Sequence, residues 1–195
     1  MKTLFVLASK SPRRKALLKS IGINAEIIPA RIDESIYSGL EPEKMVRELA
    51  MLKAADVARS FGKNTVVIGA DTCVCLDNKV FGKPHTIEEA KSMLRKLQGK
   101  THEVYTGYCV FDCTTKNAVS RSEKTLVTFK SLSEEEIDAY VKTREPMDKA
   151  GAYGIQEKGA IFVEKIEGDY FNVVGLPLCA LSKLLSEMLG ISILG

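Results

Sequence analysis

Thr65, Val66, Val67 and Ile68 are all β-branched, and Gly69 and Ala70 extend the run without a charge until Asp71. Such a stretch reads as a strand buried on both faces, which needs a sheet with cover on either side. Everything else in the chain has to supply that sheet and that cover.

Strand-like and helix-like patterns alternate in the way such a structure requires. Thr3 to Ala8 reads as a short buried strand, and Ser11-Pro12 opens a helix that Gly22 stops. Ala25 to Pro29 is a second strand, followed by a polar loop from Arg31 to Gly39. Pro42 to Phe61 reads as a long helix with Met45, Val46, Leu49, Leu52 and Val57 on one side. Val74 to Leu76 is extended up to an Asp77-Asn78 turn, and Thr86 with Glu89 forms a capping box for a helix ending before Gly99. Two long strands follow, His102 to Cys113 and Ala118 to Phe129, joined by the hairpin Thr114-Thr115-Lys116-Asn117. Ser133 and Glu136 cap a helix reaching Thr143, and Arg144 to Gly159 is an irregular, glycine-bearing segment. A strand from Ala160 to Ile166, a Glu167-Gly168-Asp169 turn and a helix from Pro177 to Leu189 close the chain. The expected fold is α/β: a mixed, twisted sheet flanked by helices, in two lobes with a central cleft where a ligand would sit. At 195 residues the chain suits one domain of 1–195, since a domain takes ~150 residues.

Charge excludes one class of partner. Lys and Arg number 28 against 25 Asp and Glu, a net +3 too small to argue a nucleic-acid surface. Five cysteines cannot all pair, and the two histidines, His85 and His102, give no ligand-spaced partners for Cys73 and Cys75. Buried thiols in a reducing cytoplasm are the expectation. Lys2 and the apolar run Leu4 to Ala8 meet Lys10 too soon for a signal peptide. The run Val173 to Leu181 is interrupted by Gly175 and Pro177 and falls short of the ~20 residues of a membrane span.

Four places could carry chemistry. In Ser9-Lys10-Ser11-Pro12-Arg13-Arg14, a strand enters a helix N-terminus whose free N–H groups and partial positive charge suit a phosphate. Cations there oppose the helix dipole, a conflict that a bound anion would remove; a capped helix with a solvated basic face is the alternative. Asp71 ends the apolar run, where a rigid carboxylate could hold a divalent ion or take a proton from water, or simply cap a turn. Thr72 adds a hydroxyl, and Glu34 in the polar loop could supply a second carboxylate. Gly82-Lys83-Pro84 restrains a lysine for phosphate, without the spacing of a P-loop. Lys53 lies among apolar positions of the long helix, where snorkelling would explain it. In Asp148 to Gln156, two glycines, Tyr153 and the Gln156 amide look built for close approach of a base.

At these segments the chain resembles the Maf, or septum-formation, family of nucleoside triphosphate pyrophosphatases. The matching strings are Leu7 to Arg14, Gly69-Ala70-Asp71-Thr72, Gly82-Lys83-Pro84, Asp148 to Gln156 and Gly175-Leu176-Pro177, in this order. The resemblance implies a fold like that of inosine triphosphate pyrophosphatases. It implies hydrolysis between α- and β-phosphates, with Mg²⁺ or Mn²⁺ as cofactor and Glu34 and Asp71 as candidate metal ligands. It implies Asp71 as the proton acceptor and Arg13, Thr72 and Gln156 as specificity positions. Ser9, Arg13, Arg14, Lys53 and Lys83 would serve the triphosphate. Arg13, Thr72 and Gln156 together resemble the branch acting on dTTP and UTP, not the one preferring 7-methyl-GTP. A homodimer is a further expectation. The competing reading is a nucleotide- or nucleic-acid-binding regulator of cell division without hydrolysis. Asp71 speaks against it, since a carboxylate beside a polyphosphate makes sense with a metal and a water.

Overall fold

β1 (Leu4–Ala8) runs into α1 (Pro12–Ser20), and β2 (Glu26–Ile27) precedes α2 (Pro42–Ala58). β3 (Thr65–Leu76) and β4 (Lys79–Phe81) are followed by α3 (Ile87–Leu97). β5 (Thr101–Asp112) and β6 (Asn117–Phe129) lead to α4 (Glu134–Lys142) and, after three 3-10 turns, to β7 (Val163–Glu167), α5 (Tyr170–Val174) and α6 (Leu178–Leu189). This computed structural model describes residues 3–34 and 39–194. Part of the expected polar loop, residues 35–38, and Lys2 of the signal-like start lie outside the described residues.

Seven strands form one mixed sheet in the order β2-β1-β3-β5-β6-β7, with β4 paired to β3 alone. β1 is parallel to both β2 and β3, with Val6 beside Val67 and Leu7 beside Ile68. β4 and β7 pair antiparallel with β3 and β6. The β-branched run lies in the middle of this sheet, and residues 65–70 are all buried. β3 does not stop at Ala70, however. It continues through Asp71 to Leu76, because Val74, Cys75 and Leu76 pair with Phe81, Val80 and Lys79. Asp71 therefore sits inside a strand and not at its end.

The chain divides into two compact units, and the division falls within β3, β5 and β6. The first comprises Met1–Asp71, Thr106–Glu123 and Gly175–Gly195. Where α2 meets the sheet, its core is made of small side chains, Val6, Ala8, Ala50, Ala54, Val57, Val67 and Cys109 among them, while Leu7, Leu18, Ile68 and Leu181 are buried elsewhere in the unit. α2 lies so close to the sheet that a Cβ on Gly69 would come within 2.1 Å of the Ala50 carbonyl oxygen. A Cβ on Gly107 in β5 would come within 2.0 Å of that of Val46. Only glycine fits at either position.

The second unit comprises Thr72–Tyr105 and Lys124–Val174, and its core is aromatic. His102, Phe129 and Tyr153 meet edge to face with ring centroids 4.6–5.4 Å apart, and Tyr140 meets Phe162 at 4.8 Å. The caps are largely as the sequence implies. Ser133 and Glu136 form the full reciprocal box at α4. At α3, Thr86 accepts from Glu89 N–H, but the Glu89 carboxylate turns to the backbone N–H of His85 at 2.8 Å.

Four of the five cysteines are buried and all are free thiols; Cys179 is exposed. Burial pushes the Cys109 thiol up to about 12, which keeps it protonated and unreactive. No group of three or more His, Cys, Asp or Glu side chains is gathered for a metal among the described residues. None of the described helices is long and apolar enough to cross a membrane.

Candidate active site

Helix α1 begins where a phosphate cradle would need it to begin. Ser11 caps it by accepting from the Arg14 N–H at 3.4 Å, and Pro12 takes the first helical position. The first turn holds no acidic residue. The Ser9 hydroxyl, buried at the end of β1, accepts from Ser11 N–H at 3.1 Å and from Arg14 Nη1 at 3.2 Å. The stretch between strand and helix is thereby held by its own side chains.

Arg14 does more than its place in the sequence suggests. Its Nε donates to the Gly175 carbonyl at 2.8 Å and its Nη1 to that of Ala70 at 3.0 Å. The guanidinium thus joins α1, β3 and the residue that precedes Leu176 and α6. Burial pulls its pKa down from the ordinary value, and the Asp71 carboxylate opposes that pull. The conflict between a basic first turn and the helix dipole therefore has a structural resolution for Arg14: it fastens backbone carbonyls.

Lys53 is the centre of the charged group. It projects from α2, and its Nζ lies 2.6 Å from Asp71 Oδ1 and 2.8 Å from Glu34 Oε1. Its side chain is 12% exposed and that of Asp71 14%, whereas Glu34 is 55% exposed. Snorkelling does not explain this lysine; two carboxylates do. Ser9, Arg14, Glu34, Lys53 and Asp71 all belong to the first unit, as does half-buried Arg13.

Thr72, Lys83 and Gln156 belong to the second unit. Thr72 is half-buried, while Lys83 and Gln156 are exposed. Two of the sequence strings touch directly here: Gly151 N–H donates to the Gly82 carbonyl at 3.0 Å. The segment Arg144 to Gly159 is irregular, as its composition suggests, but ordered. It is wound into 3-10 turns at Glu145–Asp148, Ala150–Ala152 and Lys158–Phe162. Tyr153 is buried and shares a 2.8 Å hydrogen bond with His102 Nε2, so the histidine without an evident partner has one. Burial lowers the pKa of His102 to about 4, which keeps the imidazole neutral. Lys149, also buried, donates to the Glu145 carbonyl and to Asp148 Oδ1, each at 2.8 Å. The burial of Lys149 was not signalled by spacing or charge.

The pattern for Maf-like proteins matches residues 4–188. The chain belongs to the Maf family. A dTTP/UTP pyrophosphatase of Alkaliphilus oremlandii is 49% identical to this Maf chain over 97% of its length and 98% of its own. The dTTP/UTP pyrophosphatase of Bacillus mycoides is 50% identical over 93% of the chain and 94% of its own. Two solved structures share the fold: the Ham1 protein of Staphylococcus aureus, with TM-score 0.55 and 16% identity, and that of Coxiella burnetii, with 0.53 and 18%. Each covers 95% of this chain and 99% of its own. The mixed α/β architecture expected from the strand-helix alternation is the one these proteins have.

Proposed function

We propose that this Maf protein is a nucleoside triphosphate pyrophosphatase that hydrolyses dTTP and UTP to the monophosphate and pyrophosphate. The observation that carries the reading is the Lys53 ammonium held between Asp71 and Glu34 in a chain about half identical to pyrophosphatases of that name. In this reading Asp71 takes a proton from water as its oxygen attacks the α-phosphorus. The bond to the β-phosphate oxygen breaks, and pyrophosphate leaves with that oxygen.

Each remaining residue has a task suited to its place. Arg13 and the helix N-terminus would receive phosphate oxygens, and the Ser9 hydroxyl keeps its own proton to donate to one. Arg14 would act through its hold on the Ala70 and Gly175 carbonyls as well as through its charge. Lys53 and Lys83 would balance the charge on the leaving group. Thr72 and Gln156 would contact the pyrimidine and its sugar. Modified pyrimidine triphosphates are further substrates on the same logic.

A divalent cation fits this donor set. The carboxylates of Glu34 and Asp71 already converge on one positive charge, that of Lys53, and their hard oxygens suit Mg²⁺ or Mn²⁺. Bound there, the cation would neutralise charge on the triphosphate. A cytoplasmic location accords with the four buried free thiols.

The test is pyrophosphate release from a panel of nucleoside triphosphates with Mg²⁺ or Mn²⁺. Turnover of dTTP and UTP above that of purine triphosphates and 7-methyl-GTP is the expected result. Preference for 7-methyl-GTP would overturn the substrate assignment, and binding of nucleotide without any pyrophosphate release would overturn the enzyme.

A further inference from the structure

Among the described residues, Glu145 touches none of the groups the proposed reaction uses, yet three donors converge on its carboxylate. Its Oε1 accepts from the Tyr140 hydroxyl at 2.8 Å and from Gly159 N–H at 3.1 Å. Its Oε2 accepts from Lys158 N–H at 3.1 Å, and its backbone carbonyl accepts from buried Lys149 Nζ at 2.8 Å. Tyr140 Oη in turn accepts from Gly154 N–H at 3.1 Å. One carboxylate and one phenol therefore hold the backbone on both sides of residues 155–157.

Steric closure enforces the same arrangement. A Cβ on Gly154 would lie 2.5 Å from Lys149 Cε, and one on Gly159 would lie 2.6 Å from Tyr140 Oη and from the Gly154 carbonyl oxygen. Tyr153, Ile155 and Gly159 are buried while Gln156, Glu157 and Lys158 are exposed. The outcome is a closed loop with a fixed base and a three-residue tip, and Gln156 opens that tip.

We propose that Glu145, through Tyr140 and the N–H groups of Lys158 and Gly159, is the positioning residue that sets Gln156 for selection of the pyrimidine base. The inference rests on the reading of Gln156 as a base-contacting residue. An amide tells one base edge from another only if its donor and acceptor are held in place, because a mobile amide can flip and serve either pattern. Glu145→Gln keeps an oxygen for Tyr140 and Gly159. It sets an NH₂ against the Lys158 N–H, so that end of the loop is released while the fold stays.

The experiment compares wild type, Glu145→Gln, Tyr140→Phe, Gln156→Ala and the double variant Glu145→Gln/Gln156→Ala on UTP and ATP. Thermal melting confirms that each is folded. Glu145→Gln is expected to raise KM for UTP about tenfold with kcat little changed, and to lower UTP-over-ATP selectivity by a similar factor. Tyr140→Phe should act in the same direction. The double variant should lose no more selectivity than Gln156→Ala alone, since there is then no amide left to position. Unchanged selectivity in Glu145→Gln and Tyr140→Phe beside a loss in Gln156→Ala would overturn the inference and leave the role of Gln156 standing. Unchanged selectivity in Gln156→Ala would overturn the role of Gln156 and the inference with it. Additive losses in the double variant would show Glu145 acting elsewhere and overturn the inference alone.

Discussion

The two units of this chain hold their polar side chains by different means. In the first, alanines and glycines bring helix and sheet backbones together, and beside Arg14, which fastens backbone carbonyls, Lys53 is a charge paired with the charges of Asp71 and Glu34. In the second, rings pack on rings, and the polar groups around Gln156 are tied to backbone N–H and C=O groups. The difference is between an arrangement that can change partners and one that cannot. An ammonium between two carboxylates can pass to a phosphate when a divalent cation takes its place between the carboxylates, so that each charge keeps a partner. A carboxylate accepting from three donors at once has no comparable alternative, and breaking one bond strands a donor. Chemistry suits the first kind of site and recognition the second.

That contrast can be broken from either side. The largest effect is expected for Asp71→Asn, which keeps the shape of the side chain and removes the base; kcat should fall by about 10³ while nucleotide binding persists. Near-normal turnover would remove Asp71 from the reaction. Lys53→Met comes next, with a loss of about 10² in kcat/KM, because the charge that would stabilise the leaving group is gone. A variant with normal kinetics would mean that Lys53 only neutralises its two carboxylates.

The last effect belongs to the second unit and is one of stability alone. Burial has depressed the pKa of His102 from 6.5 to about 4. The unfolded chain takes up a proton near 6.5 that the folded chain refuses until about 4, so stability is lost as pH falls through this window. The total is on the order of 3 kcal/mol. Melting curves from pH 7 to pH 4 should show the decline, and His102→Gln should flatten it without changing selectivity at pH 7. A slope of the same steepness in the variant would assign the acid sensitivity to other groups.

The same contrast governs what could be read in the sequence. The β-branched run at residues 65–68 and the capping residues Ser11 and Ser133 announce themselves, because local sterics and caps decide them. Asp71, Lys53 and Glu34 were legible as candidates, but the pairing of Lys53 with both acids was not: 18 residues separate Lys53 from Asp71, and only the fold brings them to 2.6 Å. The structural task of Arg14 was hidden for the same reason, since its acceptors are backbone carbonyls that any sequence possesses. Residues 144–159 were legible as irregular and as shaped for close approach, but their 3-10 turns were not. Gly159 leaves no room for a Cβ beside the Gly154 carbonyl oxygen, and Tyr153 is buried against His102, a pairing that no spacing announces.

Gly69 and Gly107 also set a distance. Lys53 stands one helical turn beyond Ala50, the residue whose carbonyl rests on Gly69, and Asp71 stands two residues beyond Gly69 on the strand beneath. The gap between ammonium and carboxylate is thus gauged by two backbones in contact, like a calliper closed on its stop. Side-chain packing can drift by tenths of an ångström as residues are exchanged over generations; a peptide resting on a peptide has no such slack. The spacing on which the proposed chemistry would draw is inherited from two residues that own no side chain.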